Sequence, residues 1–269
     1  MLSLETIREL IIPYGVTLDD HVAEQIRAYL SLLLMWNKKI SLTALDDPTE
    51  IIKLHFGESI AAINLGPITG RLADVGTGAG FPGLPLKLIS PSIDLVLIEP
   101  NQKKCTFLHE VLRTLNLSNV EIFRGRFEDF PLPGQPASDP APAAVVRVSQ
   151  DSSSSHAFDP PASAVAPLST LSSPLHASDT PRSSVVPFFS SHAFHTITSR
   201  ALPRSPALLS FASHSLLPSG RLLLWLTLSD AHTLTSSLSP LATPSLHFHP
   251  PLPLPATHTR IILTSSLSP

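Results

Sequence analysis

Apolar residues recur at helical spacing through the first part of the chain. Val22, Ile26, Leu30 and Leu33 fall on one face of a segment spanning 17–40, and Thr17 with Asp20 three residues on resembles a capping box at its start. A second start signal is Asp47-Pro48-Thr49-Glu50: an N-cap, a proline at the first helical position and an acid at the third, with Ile52, Phe56 and Ile60 following on one face. Residues 1–65 are therefore expected to form a helical lobe. From 71 the period changes. Arg71–Val75, Asp94–Ile98 and Val120–Phe123 are short apolar runs that predict strands, with helices over 83–89 and 103–115 between them. This βαβαβ order predicts a parallel sheet with right-handed crossovers.

The pattern fails after Phe130. Residues 131–192 hold 11 prolines, 15 serines and one glycine in 62 positions, a composition that buries too little apolar surface to offset its ordering entropy. That segment is expected to be a disordered insertion. Sheet-like sequence resumes at Phe194–Ser199, a helix is predicted over 206–217, and residues 221–228 form a very apolar run after a Pro218-Ser219-Gly220 turn. Residues 259–264 can close the sheet as an edge or hairpin strand, whereas 236–256 carries no pattern that supports an assignment. The expected fold is α/β, a doubly wound sheet in two pieces (66–130 and 193–269) with an N-terminal helical lobe (1–65) and a Pro/Ser-rich insertion (131–192).

Charge divides the chain at the same place. Residues 1–130 carry 12 of the 18 Lys+Arg and 16 of the 21 Asp+Glu, and no lysine follows Lys104 and no glutamate follows Glu128. A net charge of −3 argues against non-specific duplex binding through a broad basic face and leaves room only for a focused nucleic-acid contact. The single Cys105 excludes an internal disulfide, and the start has neither a basic n-region nor an apolar h-region, so a cytoplasmic protein is expected. No apolar run approaches the roughly 18–20 residues of a membrane span. No Cys/His/Asp cluster has metal-ligand spacing, and neither membrane nor metal is expected as a partner.

The most informative segment is Asp74-Val75-Gly76-Thr77-Gly78-Ala79-Gly80-Phe81-Pro82-Gly83, which contains four of the 11 glycines. Placed after a strand and before a helix, these glycines permit a tight turn and let a ligand approach the backbone at a helix N-terminus. Gly78 to Gly83 also satisfies G-x-G-x-x-G, the dinucleotide fingerprint. Asp74 inside the strand, Pro82 interrupting the fingerprint helix and Glu99 ending the next strand favour S-adenosylmethionine. A carboxylate at Glu99 can accept both ribose hydroxyls, but it would serve NAD as well, and an NAD(P)-dependent oxidoreductase stays open at this point.

Further strings carry a resemblance: Trp36-Asn37-Lys38-Lys39-Ile40-Ser41-Leu42-Thr43, Asp47-Pro48, His55-Phe56-Gly57-Glu58-Ser59, the glycine loop, Glu99 with Lys103-Lys104 and Phe107-Leu108, and Gly125-Arg126-Phe127-Glu128. Ser199-Arg200-Ala201 and Pro218-Ser219-Gly220-Arg221 extend it beyond the insertion. In this order the chain resembles the small-subunit ribosomal RNA guanine-N7 methyltransferases called RsmG or GidB, over about 190 of the 269 residues. The resemblance implies a Rossmann-like class I methyltransferase fold, S-adenosylmethionine as cofactor, and a target guanine at nucleotide 527, in the 530 loop of 16S rRNA. It also implies the small ribosomal subunit as partner, and a monomer is expected. Gly76, Gly78 and Phe81 match the family's cofactor loop, Glu99 ends the strand beyond it, Phe127 and Glu128 match the pair thought to flank the adenine, and Arg200 matches an arginine at the cofactor site. An arginine ending an apolar strand wants either a buried acceptor or an anionic ligand.

Three positions depart from the family. Leu226-Thr227 stand where a lysine-glycine pair is usual, His195 replaces an aspartate, and Glu58 replaces the aspartate of H-F-x-D-S. The first departure motivates a further alternative, an inactive homologue that only binds the ribosome. N7 of guanine carries an in-plane lone pair and no proton, so its methylation needs alignment and desolvation, and no catalytic base is nominated. His55, His109 and His195 are read as surface or supporting histidines. The RNA-facing rim is assigned to Lys38, Lys39, Lys53, Lys103, Lys104, Arg126, Arg200 and Arg204.

Overall fold

A computed structural model of the chain describes residues 1–131, 145–148 by their backbone, 193–200, 205–237, 246–255 and 259–267. Helix α1 (Leu4–Ile11) starts where the Ser3 side chain accepts the amide of Thr6. Helix α2 (Asp20–Asn37) is capped by Asp19, whose carboxylate accepts the Val22 amide at 2.7 Å; it begins three residues later than the Thr17 signal suggested because Asp19 reaches the orphan amide. Its buried face comprises Ala23, Ile26, Tyr29, Leu30 and Leu33. Asp47 caps α3 (Pro48–Ile51) as expected, accepting the amides of Thr49 and Glu50. The chain then widens into a π turn over Ile52–Gly57, continues through α4 (Glu58–Ile60) and ends in a 3-10 turn at Ala61–Leu65.

The sheet is built on β1 (Arg71–Val75), β2 (Asp94–Ile98), β3 (Val120–Phe123), β4 (Val145–Val148), β5 (Phe194–Ser199), β6 (Leu216–Thr227), β7 (Leu246–Phe248), β8 (Leu252–Pro253) and β9 (Arg260–Leu267). Its order is β4-β3-β2-β1-β5-β6-β9-β7, with β8 on β9. Strands β3, β2, β1, β5 and β6 are parallel, and β4, β9, β7 and β8 are added antiparallel. Helices α5 (Gly83–Ile89) and α6 (Gln102–Thr114) carry the chain outward from β1 to β3. The return to β5 on the other side of β1 makes the carboxyl ends of β1 and β5 a topological switch point, where open α/β sheets hold their ligands.

Several features differ from the sequence reading. Within 131–192, which was given no element, Val145–Val148 pairs antiparallel with β3, and three of its four residues are β-branched valines, which favour a strand. Apart from those four residues and Pro131, that segment lies outside the described residues. Strand β6 begins at Leu216, ahead of the expected turn, and the register slips between Leu216 opposite Phe194 and Arg221 opposite Thr196. Residues 217–220 are thus a bulge. A Cβ on Gly220 would meet the Phe194 carbonyl at 2.8 Å, which restricts that position to glycine. Helix α7 (Pro206–Ser215) stops two residues short of its predicted end. Within 236–256, where no assignment was made, the end of α8 (Leu228–Ser237), β7 and β8 are found.

The guanidinium of Arg221 donates to the carbonyls of Leu65, Gly66 and Pro67 at 2.7–3.1 Å. It satisfies the open end of the last helical turn and ties the lobe to β6.

A candidate nucleotide-binding crevice

The loop between β1 and α5 is held from beneath by one carboxylate. Asp74 is fully buried, and its oxygens accept the Thr77 hydroxyl at 2.5 Å, the Gly83 amide at 2.9 Å and the Thr198 hydroxyl at 2.9 Å. Burial, partly offset by these hydrogen bonds, pushes its carboxyl up to about 6. The amides of Gly76 and Thr77 donate to the Ile98 carbonyl at 3.0 and 3.2 Å, docking the loop on the end of β2. Glu99, the next residue, accepts the Gly78 amide with Oε2 and the Asn101 amide with Oε1, both at 2.9 Å. Gly78 has φ +61, and a Cβ there would meet only the Gly76 carbonyl oxygen, at 3.9 Å. Above Gly78, then, lies open space beside a carboxylate.

Helices grip the loop from the other side. Phe81 is enclosed by the lobe: Tyr29 stacks on it at 5.4 Å with planes 1° apart, His55 stacks at 4.9 Å and 24°, and Phe56 meets it edge-on at 5.1 Å. The Tyr29 hydroxyl donates to the Ala79 carbonyl, and burial raises its own pKa well above the ordinary tyrosine value. The Phe81 ring is therefore core, and its amide donates to the Thr77 carbonyl at 3.1 Å. His55 bonds through Nε2 to the Thr43 hydroxyl at 2.7 Å; Thr43 sits in a loop folded around Asn37, whose Oδ1 accepts the amides of Leu42 and Thr43. Burial first, and then Arg200 and Arg260, push His55 down to about 3, so the ring is neutral.

Arg200 directly follows β5, and Ser199 pairs with Val75 across the switch point. Its Nη2 donates to Glu58 Oε2 at 2.6 Å and to the Leu54 carbonyl at 2.5 Å, while Arg260 Nη1 reaches the same Glu58 oxygen at 3.1 Å. Of the two alternatives for Arg200, the buried acceptor is realised on this nitrogen; Nη1 is buried without a partner. Burial holds Glu58 above, and Arg200 below its usual range, at about 10. Trp225 Nε1 donates to the Glu58 carbonyl at 2.7 Å, so β5, β6 and β9 all converge on this acid.

Of the other sequence candidates, Phe127 is buried and packs edge-on against Phe211 of α7 at 5.7 Å, and Glu128 beside it is exposed. Lys38, Lys39, Lys103 and Arg126 are exposed, and Lys104 is half-buried. Lys53 pairs with Glu50 at 3.0 Å, and Arg126 stands 3.7 Å from Glu128. Arg200 is turned inward and leaves the rim; Arg204 lies outside the described residues. His195 accepts the Arg71 amide on Nδ1 at 3.0 Å, a supporting role. Cys105 is buried and donates to the Glu99 carbonyl, and burial pushes its thiol up to about 11. Tyr29, Thr43, His55 and Glu58 were not among the nominated site residues. The one signal for the last two was the string His55 to Ser59, a polar pair set in an apolar helical face.

Among the described residues no group of three or more His, Cys, Asp or Glu could hold a metal ion, and no helix is long and apolar enough to cross a membrane. The family model described as GidB, rRNA small subunit methyltransferase G, matches residues 22–148. The ribosomal RNA small subunit methyltransferase G of Streptococcus agalactiae is 42% identical over 125 residues, 45% of this chain and 53% of the relative. That of Caldanaerobacter subterraneus is 41% identical over 117 residues, 43% and 49% of the two chains. The chain matches about half the length of these curated relatives. Among solved structures, a SAM dependent methyltransferase from Aquifex aeolicus aligns with 83% of this chain and 94% of its own, at 13% identity and a TM-score of 0.47. Over residues 22–148, then, the chain is similar in sequence to the rRNA small subunit methyltransferase G family.

Proposed function

We propose that this protein transfers a methyl group from S-adenosylmethionine to N7 of a guanine in 16S rRNA, with the guanine at nucleotide 527 in the 530 loop as the expected target. The observation that carries the reading is the open space over Gly78 beside Glu99. Each Glu99 oxygen accepts one backbone amide and keeps a second lone pair, so the pair of oxygens can still receive two ribose hydroxyls. Gly76 and Gly78 let the adenosyl group approach the backbone, and the Phe127-Glu128 turn is assigned to the adenine edge. The cofactor supplies a methyl group on a positively charged sulfur. The chain's own task is to hold the base in line with that methyl and keep water away. No general base is assigned, because the attacking N7 lone pair bears no proton; Asp74, the most enclosed acid, is spent on holding the loop.

The exposed lysines Lys38, Lys39 and Lys103 are proposed to meet the RNA backbone, with a base unstacked from a loop as the reacting group. The encounter is assigned to the small ribosomal subunit in the cytoplasm. One observation favours a second reading, a ribosome-binding homologue without activity: β6 ends in Leu226-Thr227, and the Thr227 hydroxyl is bonded to Asp230 at 2.9 Å. Titration calorimetry decides the cofactor. Heat with S-adenosylmethionine and its demethylated product, and none with NADH, is expected; heat with NADH alone would replace the methyltransferase reading with an oxidoreductase.

A further inference from the structure

Away from the crevice, a cavity of about 340 Å³ lies beside the bulge of β6, and none of its lining residues is acidic. Arg221 and Ser266 pair across β6 and β9 and share one face of the sheet, as does Thr264 two residues earlier. Leu65, at the end of the lobe, lines the cavity beside Arg221. Ser219, His249 and Pro250 are exposed, so the mouth of the cavity is at the surface. Its place in the sheet separates it from the glycine loop. Arg221 is level with Thr196 and Leu72, and Leu72 is four residues before Gly76, so the cavity lies about 13 Å towards the amino ends of the strands. Donors outnumber acceptors around it. Arg221 spends three of its five N–H groups on the carbonyls of Leu65, Gly66 and Pro67, which leaves two without a partner among the described residues. Carbonyls satisfy hydrogens but leave the unit charge, and burial lowers the Arg221 pKa with no carboxylate of the described residues acting against it. Ser219 and Ser266 add hydroxyls, the second held by His249 Nε2 at 2.9 Å, and Thr264 Oγ1 is buried without a partner.

We propose that this cavity is a second ligand site, which takes the phosphate group of a small phosphate monoester. Arg221 supplies the charge, Ser219 and Ser266 supply hydrogen bonds, and Leu65 and Pro250 cover the rest of the molecule. A cation with no carboxylate beside it favours an anion, and the charge-assisted hydrogen bonds of a guanidinium are the strong ones. The donors come from the bulge, from β6 and from β9, an arrangement that suits the several oxygens of a tetrahedral anion better than the two coplanar oxygens of a carboxylate. The volume stands at the lower end of the roughly 300–1,000 Å³ of small-molecule sites, room for a phosphorylated sugar.

The experiment titrates the full chain with inorganic phosphate and with ribose 5-phosphate and follows the phosphorus NMR signal. Both are expected to bind saturably, the ester at least threefold more tightly, and neither acetate nor saturating S-adenosylhomocysteine should displace them. Arg221→Gln should weaken the ester at least tenfold. Because Arg221 also holds the lobe, the double variant Ser219→Ala/Ser266→Ala carries the test if Arg221→Gln fails to fold; it should weaken the ester at least threefold and leave S-adenosylmethionine binding unchanged. Absence of saturable binding in wild type, or unchanged affinity in the double variant, would overturn the inference. Displacement by S-adenosylhomocysteine would move the anion to the crevice, and displacement by acetate would remove the preference for phosphate; either result overturns it. Displacement by single-stranded RNA with unphosphorylated ends, which carries only diesters, would overturn the small-monoester assignment in favour of an RNA backbone.

Discussion

Asp74 and His55 face the same loop and pull its stability in opposite directions as pH changes. Asp74 titrates at about 6 in the folded chain and near 4 when unfolded. The native state therefore binds more protons between those values, and the stability Asp74 contributes below about pH 4 is lost as pH rises through 6, by roughly 2–3 kcal/mol. His55 titrates at about 3 when folded and near 6.5 when unfolded. The native state binds fewer protons there, so its contribution is present above about pH 6.5 and is lost as pH falls towards 3. Between pH 4 and 6 the two slopes oppose each other. Asp74→Asn should therefore gain stability relative to wild type as pH rises from 4 to 6, and His55→Phe should lose it, both measured by urea unfolding across the window. Parallel pH profiles for all three proteins would contradict the assignment. Glu58 poses a simpler test: with Arg200 and Arg260 on one buried oxygen, Glu58→Gln should cost about 3 kcal/mol. Arg260→Gln should cost less than about 1, because Arg260 is partly exposed and Arg200 keeps its partner.

At the scale of elements, the glycine loop separates folding from binding. A Cβ on Gly80 would overlap the Tyr29 hydroxyl and the Leu84 side chain, and φ there is +94. Gly80→Ala should thus break the grip of α2 on the loop and cost about 2 kcal/mol or more in thermal unfolding. Gly78→Ala meets open space and should cost only about 1 kcal/mol for its left-handed backbone, yet weaken S-adenosylmethionine at least tenfold in calorimetry. Equal losses of stability in the two variants would undo that separation. The strand-loop-helix unit was legible in the sequence to the residue, since β1, α5 and β2 are each bounded by a glycine, a proline or an abrupt change of period. Asp47 was legible for the same reason: its cap is local. The partnerships of Tyr29 with Ala79, His55 with Phe81 and Glu58 with Arg200 were not, because they join residues 26 to 142 positions apart and leave no periodic trace. Strand β4 escaped because four residues in a Pro/Ser-rich background are too short a run to stand out.

For the whole molecule, the register fixes where the long connection after β4 begins and ends. Val148 is level with Val120, Leu95, Leu72 and Thr196 along one row of the sheet, so β4 ends on the edge where β5 begins. Four strand spacings separate them, about 19 Å at ~4.8 Å each, which a linker of about ten residues spans. Replacing residues 150–191 by such a Gly-Ser linker should leave cofactor affinity unchanged and the melting temperature equal or higher, since shortening the loop lowers its closure entropy. A variant that binds cofactor but no longer methylates RNA would make that segment part of the substrate site. The most direct test of the account as a whole is to incubate the full chain with S-adenosylmethionine and small ribosomal subunits from cells lacking this gene, and to map the 16S rRNA by mass. The account predicts one added methyl group, on N7 of a single guanine in the 530 loop. Unmodified RNA in the presence of bound cofactor, or a methyl group on another atom or base, would contradict it.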